Sequence, residues 1–524
     1  MPTRSRALVL IAILLVLQAC TPARPARRDV VIGLVGEPAS VFADEPNARI
    51  IAAAVTEQLV RRNSHDELVP RLAVRVPTIE NGGLAVVTDD PSAPDGRLIA
   101  TFELRPDLTW QDGVALTAAD VRFAWESERS APLGSEVRWI AERIERVEVV
   151  SDRLVRLVYR ANERWDGYAL GARVLPEHLL ANASPAQRAL YAREPVHAGP
   201  FAVAAWLPGI GVTLSAFKGY ALGAPSLGRL EVKFFSDRAT LLDALRRGDV
   251  DVVPSPGLEA DLAGTLDRFA DGTTLQTFYK QAQSLEVLRY GHLFADPALR
   301  HAVELTVDRH RLTTGLFEGR ALVPRTYLVA PGWAAADAGA LPAVDRDQAR
   351  ALLAAAGYTH GSFGILEHGA ERYTVTILIA SGSVARADAA RFVAGDLAAI
   401  GIAAEVREER PDAAAAALAA GAFDLAIDAE DASDPQRATD RYQGTAGPWF
   451  DTLAGAAAAG PDRTEKRLLY AELELAWATA RPALPLYQQL QVDVAPRALA
   501  GVDPTSHGAP LTWNVREWRF ATPN

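Results

Sequence analysis

Nine histidines, 65 carboxylates and one cysteine are the side chains in this 524-residue sequence that could serve acid–base, metal or nucleophilic chemistry. The histidines are dispersed: His301 and His310 stand nine apart and His360 and His368 eight, so neither pair shares one helical turn as two metal ligands would. Glu430 and Asp431 are adjacent, a spacing that serves a general acid–base pair only if both side chains converge on one substrate. Cys20 is the sole cysteine, which excludes an intrachain disulfide and any cysteine-rich metal site. No G-x-S-x-G elbow, P-loop, dinucleotide-binding glycine pattern or H-E-x-x-H motif occurs. The sequence therefore assigns no catalytic residue, no metal site and no cofactor.

Around these residues the composition is that of a folded protein. With 49% hydrophobic and 23% charged residues, the chain can bury a large core, and its length exceeds what one core usually serves. A net charge of −11, with basic residues scattered along the chain, argues against nucleic-acid binding. Arg4 and Arg6 precede an unbroken apolar run of 11 residues, Ala7 to Leu17, followed by Gln18-Ala19-Cys20. That run is too short to span a bilayer and has the form of a secretory signal. Residues 1–19 are read as the signal peptide and 20–28, ending "TPARPARR", as a tether. The lone cysteine directly after the signal resembles the lipid-attachment cysteine of bacterial lipoproteins, with Gln18 departing from the small or aliphatic residue usual there. Lipidation of Cys20 would hold the body at a membrane surface without crossing it.

Strand and helix patterns alternate through the body. Leu98, Ala100, Phe102 and Leu104 recur at period two, the mark of a half-buried strand. Asp112-Gly113 supplies a turn, and Thr117 with Asp120 three residues on can cap a helix burying Val121, Ala124 and Trp125. A helix is predicted from Asp345, burying Ala349, Leu352, Leu353 and Ala356 and ending at Gly357. "YTVTILIA", a helix through Ala389 to Ile400, and "IAAEVRE" form a strand-helix-strand unit that favours parallel pairing. "AFDLAIDAE" is a further strand, "DASDPQRATDRY" a polar loop, and 462–480 the last long helix, followed by Pro482 and Pro485.

Several of these segments, in order, resemble extracellular solute-binding protein family 5, the peptide- and nickel-binding receptors of ABC importers. "FELRPDLTWQDGVALTAADVRFAWE" is similar to that family's strand-turn-helix signature. "TEQLVRRNSHDELVPRLA", "HAGPFAVAAW", "FADPALRHAVELTVDRHRL", "DQARALLAAAGY" and "ALPLYQQLQV" match further segments, so the resemblance covers nearly the whole mature chain. "SVFADEP", residues 40–46, departs from the early segment usual in relatives.

The resemblance implies an α/β, two-lobe type II periplasmic-binding-protein fold with an extra subdomain in the first lobe. Lobe I would comprise 29–283, including the subdomain at about 51–194, and the return 481–524; lobe II would be 284–480. It implies a monomeric receptor that captures short peptides in the interlobe cleft and passes them to an ABC permease. A receptor for a metal chelate or other non-peptide is the alternative, with an envelope enzyme or signalling receptor on the same scaffold behind it. Peptide-binding relatives carry W-x-x-D-x-x-D/E-P, whose aspartate pairs with the peptide amine. Here that stretch is "DAEDASDP", which puts Asp431 at the amine-binding position and Asp428 where tryptophan is usual. The extra negative charge at Asp428 suggests a more cationic ligand. Tyr442 and Trp449 are further lining candidates, each with a core reading beside it.

Overall fold

The computed structural model describes residues 29–520 apart from 89–92, 94–95, 131–134, 162–166, 259–262, 272, 337–341, 461–462 and 507. Cys20, the signal segment and the tether lie outside the described residues.

Three larger sheets carry the fold. One is ordered Asp29–Val35, Arg229–Phe235, Gly211–Ala216, Phe201–Leu207; its first two strands run parallel. A second, entirely antiparallel, is ordered Leu84–Val87, Arg97–Glu103, Leu154–Ala161, Ile144–Ser151. The third has five strands, ordered Ala403–Glu409, Thr374–Ala380, Leu425–Asp431, Leu275–Tyr290, Ala483–Pro496. Separate apolar cores back the first two: Val30, Ile32, Leu34, Ile50, Ile51 and Trp518 in one, Leu59, Leu98, Phe102, Trp110 and Tyr159 in the other.

Local sequence explains the elements. In Arg97–Glu103 the residues Leu98, Ala100 and Phe102 are buried and their neighbours are not, as period two requires. Gly113 turns the chain at φ +89°, where a β-carbon would be strained. The Asp120 carboxylate accepts from Thr117 N–H at 2.9 Å, and Thr117 Oγ1 accepts from Ala119 N–H at 3.3 Å, starting the helix Ala118–Ser130. That helix buries Val121, Phe123 and Ala124, while Trp125 is half-buried and donates to the Ala141 carbonyl. Asp345 caps the helix Arg346–Ala355, which buries Ala349 and Leu353 and leaves Leu352 and Ala356 at the core's margin. Thr374–Ala380 and Ala403–Glu409 pair in parallel across the helix Val384–Leu397.

Two elements differ from the sequence expectation. The polar stretch after Asp431 contains a helix, Pro435–Asp440, because Asp434 caps it and Pro435 occupies its first turn. The last long strand, Ala483–Pro496, takes in Pro485, which the sequence set apart only as a proline following the long helix. The strand is the edge of its sheet and its register shifts at that point, so a residue lacking an N–H is tolerated.

A buried ionic cluster binds the antiparallel sheet's region to the first sheet's. Glu57, 2% exposed, accepts from Arg71 Nε and Nη2 at 3.2 and 3.1 Å and from the Tyr220 hydroxyl, and Arg61 lies 3.4 Å away. Burial pushes the Glu57 pKa up, but the Arg61 and Arg71 charges and the Tyr220 bond outweigh it and bring it from 4.5 to about 2. A carboxylate depressed on folding adds stability that is present above pH 4.5 and lost as pH falls toward 2. Glu57→Gln should therefore cost roughly 3–5 kcal/mol at pH 7, leaving buried guanidinium unpaired. In urea titrations that difference from wild type should shrink between pH 4.5 and 2; a difference constant with pH would refute the assignment.

Candidate functional site

Asp431 is the last residue of the strand Leu425–Asp431 and stands opposite Ser284 in the antiparallel ladder with Leu275–Tyr290. The ladder between Leu275–Tyr290 and Ala483–Pro496 loses register between Gln281 and Leu285, so Ser284 and Asp431 sit at the break. Segments from elsewhere in the chain close on this point. Gln283 N–H donates to the Ser506 carbonyl at 2.6 Å, and Ala432 N–H donates to the Gln283 carbonyl at 2.8 Å.

The polar side chains divide by sheet face. Ser284 and Glu286 share one face, and a chain of bonds runs along it. Ser284 Oγ donates to Gln489 Oε1 at 2.7 Å, and Gln489 Nε2 donates to Glu286 Oε1 at 2.9 Å. Arg386, in the first turn of Val384–Leu397, grips the same carboxylate through Nε and Nη2 at 2.9 and 2.8 Å. Burial pulls the Arg386 pKa down, but the Glu286 bond and charge hold it above the usual value. On the opposite face Arg289 lies 3.4 Å from Asp428 and 2.8 Å from Glu430, and Arg441 lies 3.3 Å from Glu430.

Asp428 and Asp431 are therefore not brought together: three positions apart on a strand, they point to opposite faces. Asp428 is ion-paired. Asp431 is exposed, its Oδ1 accepts from Ser433 N–H at 2.9 Å, and among the described residues it has no cation within ion-pair distance. Glu430, adjacent in sequence, is buried and bonded to the Tyr442 hydroxyl at 2.7 and 2.8 Å. An acid–base pair from Glu430 and Asp431 is thus ruled out by their facing apart.

Tyr442 was a candidate lining residue, but the structure places it in the core, 3% exposed and packed on Tyr327 and Trp477. Its hydroxyl is held by Glu430, and burial with that carboxylate keeps its pKa well above the ordinary value. Trp449, at the start of Pro448–Ala459, is 62% exposed. Sequence reasoning missed Ser284, Glu286, Arg289, Arg386 and Gln489. The available signal was "SLEVLRY", where Glu286 and Arg289 interrupt an apolar strand and each must have a partner. Among the described residues no group of three or more His, Cys, Asp or Glu is placed to hold a metal ion.

The family model for bacterial extracellular solute-binding proteins, family 5, matches residues 67–449. The chain belongs to this family. Among curated relatives, oligopeptide-binding protein AppA of Bacillus subtilis is 24% identical over 434 residues, covering 77% of this chain and 76% of that protein. Protein XP55 of Streptomyces lividans is 26% identical over 406 residues, covering 73% and 67%. Solved structures share the fold. NikZ from Campylobacter jejuni in complex with Ni(L-His) aligns with a TM-score of 0.77 at 20% identity, covering 94% of this chain and 99% of that one. AppA from Bacillus subtilis in complex with a nonapeptide aligns at 0.72 and 21% identity, covering 95% and 100%. The two-lobe type II periplasmic-binding-protein fold implied by the sequence is the fold of this family member.

Tyr442→Phe tests the core placement. Removing the hydroxyl leaves Glu430 short of a buried donor and should cost about 1–3 kcal/mol in denaturant unfolding. Ligand affinity should stay within twofold of wild type by calorimetry; a loss of affinity at unchanged stability would return Tyr442 to the binding surface.

Proposed function

We propose that this family 5 protein is the receptor of an ABC importer, capturing short peptides between its lobes and delivering them to a membrane permease. The observation that carries the reading is the Asp431 carboxylate, exposed at the register break and, among the described residues, without a cation within ion-pair distance, while Glu286, Asp428 and Glu430 nearby each have one. A peptide's ammonium supplies the missing charge. When closure removes water, an unpaired carboxylate becomes costly and a paired one does not, so closure would favour ligands bearing a free amine. The ligand shifts the open–closed balance only by the difference in its affinity for the two states. The peptide names of AppA and of Brucella relatives agree with this chemistry.

Lobe I on this reading is 29–283 with 481–524, its extra subdomain is about 51–194, and lobe II is 284–480. The register break between Gln281 and Leu285 supports the first crossing. Cys20 would carry lipid, anchoring a monomeric receptor to a membrane of the cell envelope at its periplasmic or extracellular face, with a permease as partner.

Asp431→Asn should weaken binding of short peptides with a free amine at least tenfold in calorimetry, an effect of about 1.4 kcal/mol. It should change the affinity of the N-acetylated forms little. Equal losses for both sets would remove Asp431 from amine recognition. Failure of the wild type to bind any peptide, with binding of a metal chelate, would move the ligand class.

A further inference from the structure

Two of the apolar cores are bridged by side chains from two helices. The helix Ser135–Arg143 sets Trp139 against the core of the antiparallel sheet. The helix Pro435–Asp440 buries Ala438 in a different core, with Tyr327, Tyr442 and Trp477. Between the helices, Arg143 Nη2 lies 3.8 Å from Asp440 Oδ2. The Trp139 ring also has a guanidinium from each helix within cation–π range: Arg143 at 3.9 Å from the ring centroid and Arg437 at 5.9 Å. One tryptophan, two arginines and one aspartate thus join regions that otherwise pack separately.

Each end of the bridge is fixed from behind. Trp125, on the helix Ala118–Ser130, donates to the Ala141 carbonyl at 3.3 Å and so steadies Ser135–Arg143. At the other end, Pro435–Asp440 starts four positions after Asp431, and Arg441, the next residue, lies 3.3 Å from Glu430 on the strand that ends at Asp431. The Asp440 side chain is 42% exposed, so water competes for it whenever the helices part. Folding stability hardly registers an ion pair this exposed, but a balance between two states that lie close in free energy does.

We propose that Trp139, Arg143, Arg437 and Asp440 form a clasp that engages when the lobes close and holds them closed over Asp431. The inference rests on the two-lobe receptor reading, in which Ser135–Arg143 belongs to the first lobe's subdomain and Pro435–Asp440 to the second lobe. Only the closed arrangement carries the contact, so the clasp adds to the stability of that arrangement whatever the solute. It governs how long a ligand is retained and leaves the choice of ligand to the cleft.

The test reads lobe separation without any ligand, so its outcome does not depend on whether the solute is a peptide. A Cys20→Ala chain has no other cysteine, and nitroxides at Val150→Cys and Leu468→Cys, both exposed positions, report the distance between lobes by electron–electron double resonance. This background chain should show a shorter, closed population. Asp440→Arg, which sets a cation against Arg143, should lower the ratio of closed to open about threefold, and Arg437→Ala about twofold. Arg143→Glu combined with Asp440→Arg should recover most of the first loss. Melting temperatures equal to that of the background chain show that the variants fold. A closed population unchanged in both single variants, a loss that the charge swap leaves in place, or no closed population in the background chain would overturn the proposal.

Discussion

The rest of this fold hangs on one interrupted ladder, the antiparallel pairing of Leu275–Tyr290 with Ala483–Pro496. One continuous stretch joins Leu275–Gln281 to Leu490–Pro496; past the break, Leu285–Arg289 pairs with Ala483–Gln488. Backbone groups at the gap cannot pair across it and must find partners elsewhere. They do so locally: Gln283 N–H reaches Ser506, the Gln283 carbonyl receives Ala432, and Gln488 Nε2 bonds the Ala282 and Ala330 carbonyls. An uninterrupted ladder would stiffen this region along its whole length. The break leaves the segments on either side of it in register, the arrangement that the proposed hinge between lobes would require.

The same break sets the electrostatics of the site. Acids on the flanking strands are held by arginines from elements that arrive from elsewhere in the sequence: Glu286 by Arg386, and Asp428 and Glu430 by Arg289. Pairing is what makes burial of Glu286 and Glu430 tolerable, since a lone charge at either position would carry a desolvation cost of several kcal/mol. Asp431 escapes that requirement because it ends its strand at the gap and stays hydrated. Its lack of a cation is consequently a property of position and persists only while water reaches it.

Local order was legible in the sequence where one signal sufficed. Alternation exposed the strand at Leu98 to Phe102, and a capping residue followed by apolar spacing exposed the helices after Thr117 and Asp345. The family's fold was legible because its motifs occur in chain order. What stayed hidden depends on non-local pairing. Nothing local says that Arg386 will meet Glu286 across 100 positions, or that Tyr442 will turn its hydroxyl inward to Glu430. The strand start at Ala483 was obscured because a proline-rich stretch reads as a breaker unless its place at a sheet edge is known. The helix Pro435–Asp440 was missed because Asp and Pro suit both a turn and a capped first turn.

Asp428 shows how a motif read as a line of letters can mislead about charge. In sequence it stands three residues from Asp431, where relatives have an aromatic residue, and the two aspartates invite a reading as one doubly negative pocket. An extended strand separates them, because positions three apart face opposite sides. Asp428 aligns with Val287 and meets Arg289, which also serves Glu430, while Arg441 adds a second cation on that face. Two acids are matched there by two guanidiniums, so the departure from the family pattern leaves the charge at Asp431 as it would be without it. Asp428 accordingly gives no basis for expecting an unusually cationic ligand, and on the proposed reading charge selectivity at this site would rest on the single carboxylate of Asp431.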